Sequence, residues 1–321
     1  MSTASRAEHR ERGIVSRSQR RALDAELRRA PQPSGPVPIE QMRAGFAAFM
    51  GSFTVPVGAH RSPTRLGGRP AVLVEPDARL DAEPDAAPRP GTILYFHGGS
   101  FSLGSPQTAM ALTTHLVIRT GVRAISLDYR LAPEHPFPAA INDCLDAYRE
   151  LLDGGLDPES VVFAGDSAGG GLTVTTALAA RDAGLPLPAG LVAFSPGLDH
   201  TRTGTSMHSK EGVDPFFTVD GMARTGELYL AGQDPRQPLL APAVLADLSG
   251  LPPILLQLGT NELLLDDSVR LADRAREAGV DVILDLTADV PHVFQAWAGR
   301  LDEADLALDR AALFIAQRLR P

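Results

Sequence analysis

Val161-Val-Phe-Ala164 runs directly into Gly165-Asp166-Ser167-Ala168-Gly169-Gly170-Gly171, and Leu172-Thr-Val-Thr-Thr-Ala-Leu178 follows with a helical pattern. A short, wholly apolar run of this kind reads as a strand buried on both faces. The glycine-rich segment then reads as a sharp strand-to-helix turn carrying the pattern G-x-S-x-G. Glycine is needed two residues to either side of the serine, because a side chain there would collide with neighbouring backbone. Such a turn holds Ser167 in a strained conformation with Oγ exposed. It also sets the N-terminus of the next helix beneath that oxygen, where the helix dipole and free N–H groups favour negative charge. The pattern alone recurs by chance; the strand before it and the helix after it give it weight. A phosphate-cradling turn is the competing reading, but neither G-x-G-x-x-G nor G-x-x-x-x-G-K-[ST] is present here. Ser167 is therefore the candidate nucleophile.

Outward from this turn the chain alternates short apolar runs with helical patterns. The other predicted strands are Ala71-Val-Leu-Val-Glu75, Thr92-Ile-Leu-Tyr-Phe96, Arg123-Ala-Ile-Ser-Leu127, Gly190-Leu-Val-Ala-Phe194, Ile254-Leu-Leu-Gln-Leu258 and Val280-Asp-Val-Ile-Leu-Asp-Leu286. Helices are predicted near 107–120, 138–152, 168–183, 266–279 and 302–319. The alternation predicts an α/β fold, a mostly parallel sheet with helices on both faces. One interval, 196–253, holds no strand candidate but many prolines and a helical pattern over 220–230. A long excursion between two strands is expected to be an insertion over the active face. No internal repeat is present.

Thr92–Phe96 ends in His97-Gly98-Gly99-Ser100-Phe101. Consecutive glycines after a strand let backbone N–H groups point into a site without steric cost. Donors aimed at a developing oxyanion are worth roughly 3–4 kcal/mol each. Gly98, Gly99 and Ala168 are the predicted oxyanion donors, and His97 is expected to brace the loop.

His97-Gly-Gly-Ser100 together with Gly165-Asp-Ser-Ala-Gly-Gly170 resembles the hormone-sensitive-lipase-like bacterial carboxylesterases of the α/β-hydrolase fold. The likeness runs from about residue 70 to the C-terminus. Between the two motifs, Asp128-Tyr-Arg-Leu-Ala-Pro-Glu-His-Pro-Phe-Pro-Ala139 looks like the family segment whose Arg and Glu side chains hold the loop near the nucleophile. Ser100 stands where the family usually has a third glycine. The resemblance implies an eight-stranded mixed sheet, a helical cap, no cofactor and hydrolysis of small carboxylic esters. It divides the chain into an N-terminal cap segment (1–55), core (56–199), cap insertion (200–240) and core again (241–321). The cap segment carries Ile39, Met42, Phe46, Phe49 and Met50 at helical spacing. A homodimer through the last strand of the sheet is implied as well.

The chain order of this fold is serine, acid, histidine. Of His200, His208 and His292, only His292 follows a late strand, in Ala288-Asp-Val-Pro-His292, and it is the predicted base. His200 and His208 fall in the expected cap and are expected to line or shield the pocket. For the acid, Glu262-Leu-Leu-Leu-Asp266 matches the family pattern with glutamate in place of the usual aspartate. Glu262 is the first candidate; Asp266 is the second, although it and Asp267 also suit the first turn of a helix.

Composition bounds the rest. Of 321 residues, 44% are hydrophobic, enough for a large core, and the net charge is -9 with a pI near 5.4. That disfavours nucleic acid, which calls for a basic face. The single cysteine, Cys144, rules out an internal disulfide or a multi-thiolate metal site and reads as a buried small hydrophobe. The polar first residues lead to the expectation of no secretory signal, and no apolar run nears 20 residues, so a cytoplasmic location without stable membrane insertion is expected. Residues 1–30 are arginine-rich, 31–38 are a Pro-rich linker, and 77–91 are an acidic, exposed loop. The expected activity is a serine carboxylesterase acting on small, short-acyl esters. A lactonase or N-acetyl hydrolase would use the same groups, and a non-catalytic binder on this fold would be expected to lose Ser167 or His292.

Overall fold

The computed structural model describes residues 16–29, 37–77 and 89–319. The first half of the Arg-rich segment, most of the Pro-rich linker and most of the acidic loop lie outside the described residues. Eight strands form one sheet in the order β1-β2-β4-β3-β5-β6-β7-β8. In chain order these are β1 (Ala59–Leu66), β2 (Arg69–Pro76), β3 (Thr92–Phe96), β4 (Arg123–Leu127), β5 (Val161–Asp166), β6 (Gly190–Phe194), β7 (Ile254–Gly259) and β8 (Val282–Thr287). β2 pairs antiparallel with β1 and β4, and every other neighbouring pair is parallel. Seven strands match the predicted runs. β1 was not anticipated, because Ala59-His-Arg-Ser-Pro-Thr-Arg-Leu66 is polar and contains Pro63. At a sheet edge neither property is a penalty. β1 enters β2 through Gly67-Gly68, whose φ values of 58° and 72° suit a tight hairpin turn.

The helices are α1 (16–27), α2 (Ile39–Met50), α3 (Met110–Thr120), α4 (Ala139–Asp153), α5 (Ala168–Asp182), α6 (Ser206–Ser209), α7 (Val219–Leu230), α8 (Pro242–Leu245), α9 (Leu265–Glu277) and α10 (Asp302–Arg318). Alternate residues of the central strands face two different cores. Leu94, Phe96, Val161 and Phe163 pack under α4, α5 and α9, with Cys144 buried among them. Ile93, Tyr95, Val162 and Ala164 pack under α3, α10 and α1. This two-sided burial explains why the strands read as unbroken apolar runs. Among the described residues no helix is long and apolar enough to cross a membrane.

Candidate active site

β5 leads straight into Ser167, which stands at φ 53°, ψ -118° before α5 begins at Ala168. That φ is unfavourable for a non-glycine residue and is held by surrounding bonds. Ser167 N–H donates to Phe194 O at 2.8 Å, and Ser167 O accepts from the N–H groups of Gly171 and Gly197. A Cβ on Gly165 would overlap the Gly169 carbonyl, and one on Gly169 would overlap that of Phe96. The spacing of the glycines is thus a packing requirement of the turn.

Ser167 Oγ lies 2.9 Å from Nε2 of His292, and Nδ1 of His292 lies 2.8 Å from Oε2 of Glu262. Glu262 is fully buried, and its Oε1 accepts from Gly259 N–H at 2.5 Å and from Ser195 Oγ at 2.8 Å. The loops after β7 and β8 are tied together to make this possible. Thr260 N–H donates to Thr287 O, Asn261 N–H to Val290 O, and Asp289 N–H to Thr260 Oγ1. A Cβ on Gly259 would overlap the Val290 carbonyl, so only glycine lets the two loops approach this closely. Asp266 is elsewhere: its Oδ2 accepts from Ser206 N–H at the start of α9.

The predicted oxyanion donors divide. Gly98 N–H is engaged by the Asp166 carboxylate, which a Cβ on Gly98 would overlap, so this residue serves packing and does not face the reacting centre. Gly99 and Ala168 do line the space beside Ser167, and Ser100 joins them. Among the described residues the N–H groups of Gly99, Ser100 and Ala168 donate to no protein acceptor. Ser100 stands at φ 53° and Phe101 at φ 59°, so this loop keeps a glycine-like path without the third glycine. His97 is buried against Tyr129, ring centroids 4.1 Å apart, and burial lowers it to about 4. Its carbonyl accepts from Tyr129 Oη at 2.6 Å, a bracing role. Arg130 grips Asp143 of α4, and Glu134 pairs with Arg43 of α2.

Two cavities meet at Ser167. The larger, about 320 Å³, is walled by Phe46, Phe49 and Met50 of α2, by Phe53 and Phe216, and by Trp297; His292 borders it. The smaller, about 40 Å³, is lined by Ser167 and Ala168 and by His200, Arg202, Thr225 and Gly226. His208 is exposed and lines neither. Among the described residues no cluster of His, Cys, Asp or Glu side chains is arranged to hold a metal ion.

Residues 93–296 match the family model for the α/β hydrolase fold. An acetyl-hydrolase of Streptomyces hygroscopicus is 43% identical over 224 residues, 70% of this chain and 75% of that one. An esterase of Acinetobacter venetianus is 38% identical over 223 residues, 69% and 73% of the two chains. A hormone-sensitive lipase from a metagenome library superposes with a TM-score of 0.86 at 40% identity, covering 95% of this chain and 98% of the other. The chain belongs to the hormone-sensitive-lipase-like esterases of the α/β-hydrolase fold. An esterase of the bacterial hormone-sensitive lipase family gives a TM-score of 0.87 at 36% identity, with 94% and 99% covered.

Two residues of this esterase's site escaped the sequence reading. Ser195, at φ 46° just after β6, donates to Glu262 and accepts from Val293 N–H at 2.9 Å, joining the acid to the histidine loop. Its place at the carboxyl end of a parallel strand was the available signal, since ligands collect there in such sheets. Asp214, pushed up by burial, accepts from the N–H groups of Leu263, Phe216 and Phe217. It thereby places the Phe217 ring against His292, centroids 4.8 Å apart. No sequence pattern marks it.

Proposed function

We propose that this esterase is a serine carboxylesterase working through an acyl-enzyme, with Ser167, His292 and Glu262 as its triad. The observation that carries the reading is the unbroken line from Ser167 Oγ to His292 at 2.9 Å and from His292 to Glu262 at 2.8 Å. His292 Nε2 takes the serine proton as Oγ attacks the ester carbonyl. The N–H groups of Gly99, Ser100 and Ala168 receive the oxyanion. His292 then protonates the departing alcohol, and water repeats the sequence to free the acid and Ser167. Glu262 holds the imidazole tautomer and stabilises its cation; it takes no proton itself.

The leaving oxygen must face His292, which borders the large apolar cavity, so the alcohol part goes there. The acyl part goes to the small cavity beyond Ala168, whose volume of about 40 Å³ suits short chains. α1 and α2 cover the large cavity, and the 200–240 segment contributes to the walls of both. A homodimer through the free edge of β8, where Ile283 and Leu286 are exposed, belongs to the same proposal. A monomer mass by light scattering would remove it.

Hydrolysis of p-nitrophenyl esters from acetate to decanoate tests the reading. Ser167→Ala should lose on the order of a million-fold in kcat and Glu262→Gln about ten-thousand-fold, as such groups act as a unit. Asp266→Asn should stay within about threefold, since Asp266 holds Ser206 N–H and does not reach His292. Robust turnover by folded Ser167→Ala would end the proposal. Removal of acetyl groups is a second reading, favoured by the fit of an acetyl group to the small cavity and by the acetyl-hydrolase relative. An acyl optimum at acetate, retained on N-acetyl substrates, would favour it over the broader ester activity.

A further inference from the structure

We propose that the small cavity is a subsite for acyl groups that end in a carboxylate, received by Arg202 with His200 beside it. The inference rests on the serine-esterase reading for the direction in which the acyl group points.

Arg202 lines this cavity, held there by a backbone at φ 55°. Among the described residues its guanidinium makes no hydrogen bond and no ion pair. Arg202 is half-buried, so its planar fork of five donors faces the cavity with no protein acceptor among the described residues to fill it. The nearby carboxylates are already engaged. Asp199 takes Arg270 Nη1 at 3.1 Å, Thr203 Oγ1 at 2.9 Å and Thr201 N–H at 2.8 Å. Asp267 takes the N–H groups of Leu198 and Asp199. Burial also pushes Asp267 up to about 7, so near neutral pH it holds only part of a charge against Arg202.

His200 adds a second unfilled group. Its ring lies beside the stacked pair Phe101 and Tyr229, tilted to both with centroids 5.6 Å and 5.4 Å away, and burial keeps it neutral. Nδ1 is buried and has no hydrogen-bond partner among the described residues. The large cavity offers no such groups; its deep wall is aromatic. A space of about 40 Å³ holds only a few non-hydrogen atoms beyond the carbonyl, which suits half-esters of short dicarboxylic acids.

The test compares p-nitrophenyl hydrogen succinate and glutarate with the neutral butyrate and valerate esters. The measured quantity is the ratio of kcat/KM for the anionic over the neutral ester in wild type, Arg202→Leu and Arg202→Lys. The ratio should fall about 10- to 100-fold in Arg202→Leu, the effect of losing a hydrogen bond to a charged group. Arg202→Lys should retain part of it, keeping the charge without the fork. An equal ratio in wild type and Arg202→Leu overturns the subsite, as does a preference for anions on the alcohol side only. Calorimetry with free succinate on Ser167→Ala, with and without Arg202→Leu, reads the subsite without turnover. Binding should weaken at least about tenfold when Arg202 is lost, and equal binding overturns the subsite. A wild type inactive on all four esters that still binds succinate through Arg202 overturns the serine-esterase reading instead.

Discussion

The two cavities that share Ser167 differ in the polar groups set into their apolar walls. On one side Phe53 meets Trp297 edge-on and Phe49 and Phe216 lie tilted to it, with centroids between 5.1 Å and 6.5 Å apart. On the other, Arg202, His200 and Asp199 join Phe101, Met222 and Leu264 around a space an eighth as large, with Asp267 behind Arg202. The apolar wall is stabilised by its own burial, which needs no partner and no particular pH. The polar wall depends on how each buried charge and donor is satisfied. One side selects by size and the other by chemical group, and a single serine serves both.

Removing the centre of the aromatic wall is the strongest way to break this contrast. Trp297 is almost fully buried and touches three of the phenyl rings. Trp297→Ala should cost about 3–5 kcal/mol of stability in urea unfolding, the range for deleting a large buried aromatic side chain. It should also relax discrimination between small and bulky alcohols while the order of acyl preference is kept. A variant that instead changed acyl preference would show that the two cavities are not separately addressed.

On the polar side the corresponding handle is pH. Burial, first, raises Asp267 to about 7, with Arg202 pulling it down and Asp199 pushing it up. An acid whose pKa is higher folded than unfolded binds more protons in the folded state. Its contribution is therefore full below about pH 4 and is lost as pH rises through about 7. Wild type minus Asp267→Asn stability should decline across that window by a few kcal/mol, read from urea midpoints at stepped pH. A difference that stayed flat from pH 4 to 8 would place the Asp267 pKa in the ordinary range and restore Arg202 a full counter-charge.

The same contrast divides what was legible in the sequence. The strand runs and the G-x-S-x-G turn could be read because each depends on local periodicity or on glycine at a fixed offset, while Glu262 and His292 followed from the chain order and acid pattern that the family resemblance implies. Ser195 and Asp214 could not, because their roles arise only when the loops after β6, β7 and β8 converge. Gly98 was read one position early: a pair of glycines signals close approach, but not whether to substrate or to the Asp166 carboxylate. β1 was missed because an edge strand has no second apolar face to betray it. His200 lines the pocket as its place in the expected cap suggested, whereas Arg202 lay in a segment without strand rhythm, where nothing in the chain order shows which side chains turn inward.

Ser100 is the seam, since it lines both cavities, and the smallest effect is expected there. Its left-handed φ costs a non-glycine residue about 1–2 kcal/mol, and Ser100→Gly removes that cost. Glycine brings back a larger unfolded-state entropy of about 0.5–1 kcal/mol, so net stability should move by no more than about 1 kcal/mol. The N–H remains, and with it the proposed contact to the oxyanion. Activity on neutral p-nitrophenyl butyrate should therefore change by less than about threefold, under 1 kcal/mol in the barrier. A loss beyond about tenfold would mean that the Ser100 hydroxyl, not only its backbone, meets the reacting carbonyl. The oxyanion would then be held by a group that belongs to both cavities at once, and the division between them would stop short of the chemistry itself.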